Sequence, residues 1–463
     1  MEHAICAFDR RLDPGLTGPI GVAFSGGGDS LAALLAAKAW ADRHGRRVLA
    51  LTVDHRLQPQ SADWTRWAGE TARRLGADFR ALAWDTVKPA AGLAAAARLA
   101  RHSLIAEAAR AAGARVVVFG HTADDILEAD LMRAEGSTLG FLREWGPSPA
   151  WPEGRGVFLL RPLLTLRRAA IREALRAAGE SWIDDPANDD PKLTRSWARK
   201  RLAQSPDQTA GADSIPSPVG RRRGPRCEAS WEDEGVRSVR TVLKHRTPSP
   251  SQASPGPLPL PTGEVFQDDV AALALKVTAG PGGFLRIDRS VLQLARPGAA
   301  RRVLSAALLS VGGGERPPRG ERLDRLMTQI AGDGAFCATL AGAKVVAGEE
   351  LLILREAGRG RLAPVRLVPD AATVWDGRFE FTARTTGSSV HNLAGHMADL
   401  DRGQRRTLRT VPAPARPGLP VVIDDDGQLT CPILADQPSV DVRSLVAARF
   451  LSACGAISKE PAD

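Results

Sequence analysis

Ser25-Gly26-Gly27-Gly28-Asp29-Ser30 follows the apolar run Ile20-Gly21-Val22-Ala23-Phe24, and an alanine- and leucine-rich stretch comes directly after it. A short strand that breaks into three glycines and then a helix builds an anion cradle. Glycines let backbone N–H groups crowd one point, and the helix N-terminus adds partial positive charge. Ser25 and Ser30 can add hydroxyl donors. Asp29 would repel a bare phosphate, so its place here makes sense with a Mg2+ ion between them. The loop therefore reads as a binder of metal-chelated pyrophosphate, with ATP the expected ligand. No Gly-Lys-Ser/Thr follows, which sets aside the Walker pattern. The glycines are contiguous, which sets aside the dinucleotide fingerprint.

Outward from this loop, strand and helix signals alternate through the first ~145 residues, the pattern of a parallel sheet with helices on both faces. Strands are expected at 20–24, 48–53, 79–84 and 116–119, and helices at 31–43, 62–75, 93–112 and 123–134. Ligands of such sheets lie beyond the carboxyl ends of the strands. Ser25, Asp54 and His121 all fall on that rim. The fold class expected is α/β, with a catalytic domain over 1–202, a helical domain over 263–335 and a small β-rich domain over 336–463. Between them, 203–262 is rich in Pro, Ser and Arg and reads as a disordered insertion.

Bulk properties narrow the class. The 463 residues carry a formal charge of +9, which favours a polyanionic partner. No apolar run reaches the ~18–20 residues of a membrane helix, and no signal peptide opens the chain, so a cytoplasmic protein is expected. The five cysteines stand apart, with no Cys-x-x-Cys spacing to suggest zinc or an iron–sulfur cluster. Tyrosine is absent, so no phenol can act as base or stacking platform. A homodimer is left open by the sequence.

Two further segments carry chemistry. Gly120-His121-Thr122-Ala123-Asp124-Asp125-Ile126-Leu127-Glu128 closes the fourth strand and opens a helix. One acid there is explained as a cap or a complement to the helix dipole. Asp125 and Glu128 lie three apart on one helix face and together could hold an ammonium group. His121 could contact phosphate or move a proton. In the preceding helix, Arg98 and Arg101 also lie three apart, beside His102. They form either a solvated basic face or a guanidinium pair aimed at charge developing on phosphate. Asp54, at a strand end, is either a turn former or a nucleotide contact. Arg161-Pro162 reads as an extended connection into a helix capped by Thr165, and residues 182–191 as an acidic turn.

Taken in order, these segments resemble a known family. Ser-Gly-Gly-x-Asp-Ser is similar to the PP-loop of the ATP pyrophosphatases. Val53-Asp54-His55, Ala97-Arg98-x-x-Arg101-His102, the Gly120-to-Glu128 element, Arg161-Pro162-Leu163-Leu164 and Trp182-Ile183-Asp184-Asp185-Pro186-x-Asn188 follow it. The set resembles the bacterial tRNA(Ile)-lysidine synthases over roughly residues 20–200. That resemblance implies ATP-dependent ligation of free L-lysine to C2 of the wobble cytidine of tRNA(Ile) with a CAU anticodon, through an adenylated cytidine. It implies that Ser25, Gly26, Gly27, Gly28, Asp29 and Ser30, with Asp54 and His121, hold ATP, and that Asp29 meets Mg2+. Asp29, Arg101, Asp125 and Glu128 would be catalytic, with Asp125 and Glu128 receiving lysine. Arg133, Arg161, Arg195 and Arg199 would contact tRNA, and the β-rich C-terminal domain would add further contacts. Departures from the family pattern include Thr122, Ile126 and Ala129 beside the acids, and His102 where Tyr is common. The competing readings are another PP-loop tRNA-modifying enzyme such as a thiolase, and a catalytically silent RNA-binding protein. Thiolases often use paired cysteines, which this chain lacks.

Overall fold

The computed structural model describes residues 2–137, 141–184, 199, 201, 263–356, 362–435, 438 and 440–462. The expected insertion at 203–262, together with Arg195, lies outside the described residues.

The N-terminal half is built on a six-stranded sheet in the order β3-β2-β1-β4-β6-β5. Its strands are β1 (Ile20–Ala23), β2 (Val48–Asp54), β3 (Asp78–Ala83), β4 (Val116–Val118), β5 (Trp145–Pro147) and β6 (Phe158–Leu160). All neighbours are parallel except β5, which runs antiparallel to β6. Helices α1 (Glu2–Arg11), α2 (Gly28–His44), α3 (Ser61–Arg74), α4 (Leu93–Ala111), α5 (Ala123–Ala134) and α6 (Arg168–Ala177) accompany it. The period-two pattern of a strand buried on both faces is visible in β2. Val48 and Ala50 join one core with Leu31 and Leu34 of α2 and Ile171 of α6. Leu49 and Leu51 join the opposite core with Ile105 of α4. Small residues let α2 lie close to the sheet, with Ala33, Ala36 and Ala37 fully buried. The helix stops at Gly45, whose φ of 65° is the left-handed conformation that glycine adopts without a Cβ clash.

The chain leaves β1 toward β2 and β3, then crosses back to β4 on the other side of β1. The sheet order therefore reverses between β1 and β4, and the crevice at that switch point opens beyond their carboxyl ends. The two loops that meet there are Ser25–Gly27 and Gly120–Thr122.

The second half does not divide at 335/336 as expected. A five-stranded antiparallel sheet orders β7 (Thr278–Gly280), β8 (Phe284–Asp288), β11 (Glu350–Arg355), β10 (Ala343–Ala347) and β9 (Phe336–Leu340). Strands from both sides of residue 335 thus share one sheet. Its apolar face packs on the helices Pro297–Gly312 and Glu321–Ala331, and the helix Val446–Cys454 returns to the same core through Val446 and Phe450. Residues 373–383 form a hairpin, β12 (Thr373–Trp375) and β13 (Phe379–Ala383), turned at Asp376 and Gly377. Both turn residues have positive φ, which a continuous strand cannot accommodate.

Buried ion pairs join the halves. Arg46, after α2, makes a bidentate pair with Glu460 at 2.6 and 2.8 Å, with side chains 1% and 2% exposed. Arg46 also donates to the Gly18 and Asp13 carbonyls. Trp145 donates its indole N–H to the Ile457 carbonyl at 2.8 Å. On a second seam, Glu380 of β13 accepts from Arg155 and Arg110.

Candidate active site

The glycine loop is fixed from within and from above. Ser30 donates its hydroxyl to the Gly27 carbonyl at 2.8 Å and accepts from the Ser25 N–H at 3.2 Å. The Ser25 and Ser30 hydroxyls lie 3.1 Å apart. Gly26 has φ +85°, and a Cβ there would meet Ile183 Cδ1 at 2.6 Å. Ile183 donates its N–H to the Gly26 carbonyl at 2.9 Å, and the Trp182 ring lies over Gly28. Thus the first residues of the expected acidic turn cover the loop. From the other side, a Cβ on Gly120 would fall 2.8 Å from the Ser30 nitrogen and closer still to the Asp29 carbonyl. Only glycine lets the end of β4 touch the start of α2.

Asp29, Asp125 and Glu128 converge on one guanidinium. Arg168, the first residue of α6, donates from Nε to Asp29 Oδ2 at 2.8 Å and from Nη1 to Glu128 Oε1 at 3.1 Å. Its Nη2 lies 3.5 Å from Asp125 Oδ1. Arg199 also donates to Glu128 Oε1, at 2.7 Å. Two carboxylate oxygens in this cluster, Asp29 Oδ1 and Glu128 Oε2, are buried with no hydrogen-bond partner among the described residues. A buried acceptor without a donor is costly, so each is a place for a cation or a donor from outside the chain. Burial pushes the Asp29 carboxyl up from its usual range, against the pull of Arg168.

Asp125 has a second task. Its Oδ2 accepts from the Thr122 N–H at 2.8 Å and the Thr122 hydroxyl at 2.9 Å, closing a capping box at the start of α5. Asp124 Oδ2 accepts from the Arg168 backbone N–H at 2.7 Å. It satisfies the first turn of α6 from another helix, so the cap is not Thr165, and the N-cap position is Arg167. The capping explanation that the sequence offers for one acid thus covers two, and Glu128 is left without it.

The opposite wall is basic and aromatic. His102 and His121 stack on either side of the Phe119 ring, at 5.4 and 5.8 Å. Burial, then Arg98, Arg101 and Arg161, hold His102 neutral well below the usual imidazole range. Burial, then Arg101 and Lys88, lower His55 to about 4. Arg101 itself is exposed on α4, next to the buried His102. Arg161 donates to His121 Nδ1 at 3.2 Å and to the Arg143 carbonyl at 2.8 Å. Asp54 Oδ1 accepts the Arg56 N–H at 2.8 Å, so its carboxylate serves a turn. Arg133 pairs with Asp130 and lies 3.7 Å from the Phe141 ring centroid, away from the acid cluster.

Residues 6–205 match the family model of the PP-loop domain. The chain is 42% identical to the tRNA(Ile)-lysidine synthase of Caulobacter vibrioides, over 99% of each chain. The chain belongs to the tRNA(Ile)-lysidine synthase family. The synthase of Hyphomonas neptunium is 34% identical over 77% of this chain and 85% of its own. That of Rhizobium meliloti is 32% identical over 94% of this chain and 86% of its own. The PP-loop domain is an ATP-binding domain.

The structure brings Asp29, Asp125, Glu128 and Arg199 together beside the Ser25–Ser30 loop and joins His121 to Arg161, whereas Arg101 stays on the exposed surface of α4. Arg168 was not singled out. It is one of many arginines in an exposed-looking helix, and only the α6 packing brings it under α5. Its neighbour Arg161-Pro162-Leu163-Leu164 was the available signal.

Proposed function

We propose that this chain ligates lysine to the wobble cytidine of tRNA(Ile) bearing a CAU anticodon, at the expense of ATP. The observation that carries the reading is the pair of unpartnered buried carboxylate oxygens, Asp29 Oδ1 and Glu128 Oε2, beside the glycine loop. The former fits a divalent cation and the latter fits an ammonium group. A Mg2+ ion chelated by ATP supplies charge neutralisation at the phosphates. Backbone N–H groups of residues 26–28 and the start of α2 hold the pyrophosphate end, with Ser25 and Ser30 adding hydroxyls.

In the first step the C2 oxygen of cytidine bonds to the α-phosphorus and pyrophosphate leaves. Arg101, on the basic wall, meets charge developing on the α-phosphate. In the second step the lysine ε-nitrogen bonds to C2, its proton passes to solvent or a carboxylate, and AMP leaves. Asp125 and Glu128 orient the amine for that attack. Arg133, Arg161 and Arg199, together with Arg195, are the arginines this reading assigns to the RNA. The positive balance of the chain suits that partner.

The decisive experiment supplies ATP, lysine and the CAU-anticodon transcript together, and analyses nucleosides. Lysidine and AMP are expected only with all three reactants, whereas pyrophosphate release requires only ATP and the transcript. Thiolated cytidine, or a requirement for sulfide in place of lysine, would replace this reading with that of a thiolase.

A further inference from the structure

Arg168 lies at the centre of the acid cluster, and the sequence motifs gave it no part. Three carboxylates, Asp29, Asp125 and Glu128, face its guanidinium at 2.8 to 3.5 Å. Such a group of hard oxygen donors is the ordinary composition of a divalent-cation site. Here a guanidinium sits among the three carboxylates, within 2.8 to 3.5 Å of each, where an ion bridging them would have to lie. Its fork engages one oxygen each of Asp29 and Glu128 and leaves Asp29 Oδ1 and Glu128 Oε2 open on either side.

Charge makes the same point. Among the described residues, Arg168 and Arg199 oppose the three acids, which leaves one negative charge in the cluster. The neighbouring charges are already taken. Arg167 pairs with Asp124 at 3.1 Å, and Arg172 with Asp184 at 3.2 Å. One residual negative charge suits one ammonium group and cannot neutralise a second divalent ion.

We propose that Arg168 is a specificity-determining residue that keeps a divalent ion from bridging the three carboxylates, leaving Asp29 Oδ1 open to the metal of the nucleotide and reserving Glu128 for a primary amine. The amine assignment rests on the function proposed above, whereas the exclusion of metal does not. Without the guanidinium, the three acids form a buried, uncompensated cluster that draws in the nearest available cation.

The test uses the full chain with Arg168→Gln, Arg168→Met and Arg168→Lys, and Mn2+ as the probe. Free Mn2+ is counted by electron paramagnetic resonance in the absence of nucleotide, and melting temperatures are read with and without the ion. Both neutral variants are expected to take up an ion at least about tenfold more tightly than the wild type, and to melt higher in its presence. R168K, which keeps the charge and loses the fork, is expected to behave as the wild type. In steady-state assays the KM for lysine of the neutral variants is expected to climb with Mn2+, while that of the wild type stays level. Neutral variants that bind no more Mn2+ than the wild type, with no gain in melting temperature, overturn the inference. So does R168K binding as much as R168Q. Absence of lysidine from the wild type would instead defeat the proposed function and leave the metal count to decide this point by itself.

Discussion

At the scale of single residues, the acids of the crevice separate by what else they hold. Glu128 caps nothing, and its side chain is 2% exposed with one oxygen unpartnered. Glu128→Gln is therefore expected to raise the KM for lysine about tenfold or more while pyrophosphate release stays within about twofold. Measuring the two half-reactions separately checks this, and an equal loss in both would remove its assignment to the amine. Asp125 binds both the N–H and the hydroxyl of Thr122. Asp125→Ala should thus cost about 1 kcal/mol of stability as well as lysine affinity, read from a urea titration. Gly120 is constrained by backbone alone. Gly120→Ala forces apart the end of β4 and the start of α2, and should cost about 1–3 kcal/mol with a matching loss of ATP binding.

At the scale of elements, α4 carries a buried histidine against a strand end, and this has a pH signature. His102 binds its proton well below the usual value when folded, but near 6.5 when unfolded. As pH falls below about 6.5 the unfolded chain gains a proton that the folded chain refuses, so this contribution is present above that pH and lost on acidification. Chemical denaturation from pH 7.5 down to 5 should show a steeper loss for the wild type than for His102→Gln. Parallel curves would mean that the ring is not held neutral.

The elements also show how much could be read in advance. The β1–α2–β2–α3–β3–α4–β4–α5 succession was legible because β1, β2 and β4 are short apolar runs and each of the four helices stops within two residues of a glycine. Helix α5 spans Ala123–Ala134 as its pattern indicates. Strands β5 and β6 were not legible. They are three residues each, and Trp145-Gly146-Pro147 has turn composition. Its edge position, antiparallel to β6, tolerates the proline. In the crevice, local spacing was enough for Asp29, Asp125 and Glu128. Arg168 depends on a contact across 139 residues, which no local pattern encodes.

At the scale of the molecule, the two halves meet through carboxylates of the C-terminal part and arginines of the catalytic part. Glu460→Gln leaves Arg46 buried without its counter-charge, which should cost about 3–5 kcal/mol in chemical denaturation. Replacing Arg46 and Glu460 together by methionine should recover most of that loss. A double variant no more stable than the single one would mean that the pair is not the junction. Because Arg46 and Glu460 are both sealed from solvent, counter-ions have no access to them. The molecule should therefore keep one scattering profile from dilute buffer to molar salt, so that any weakening of tRNA binding by electrolyte reports on the RNA contacts alone and not on hinging of the body that makes them.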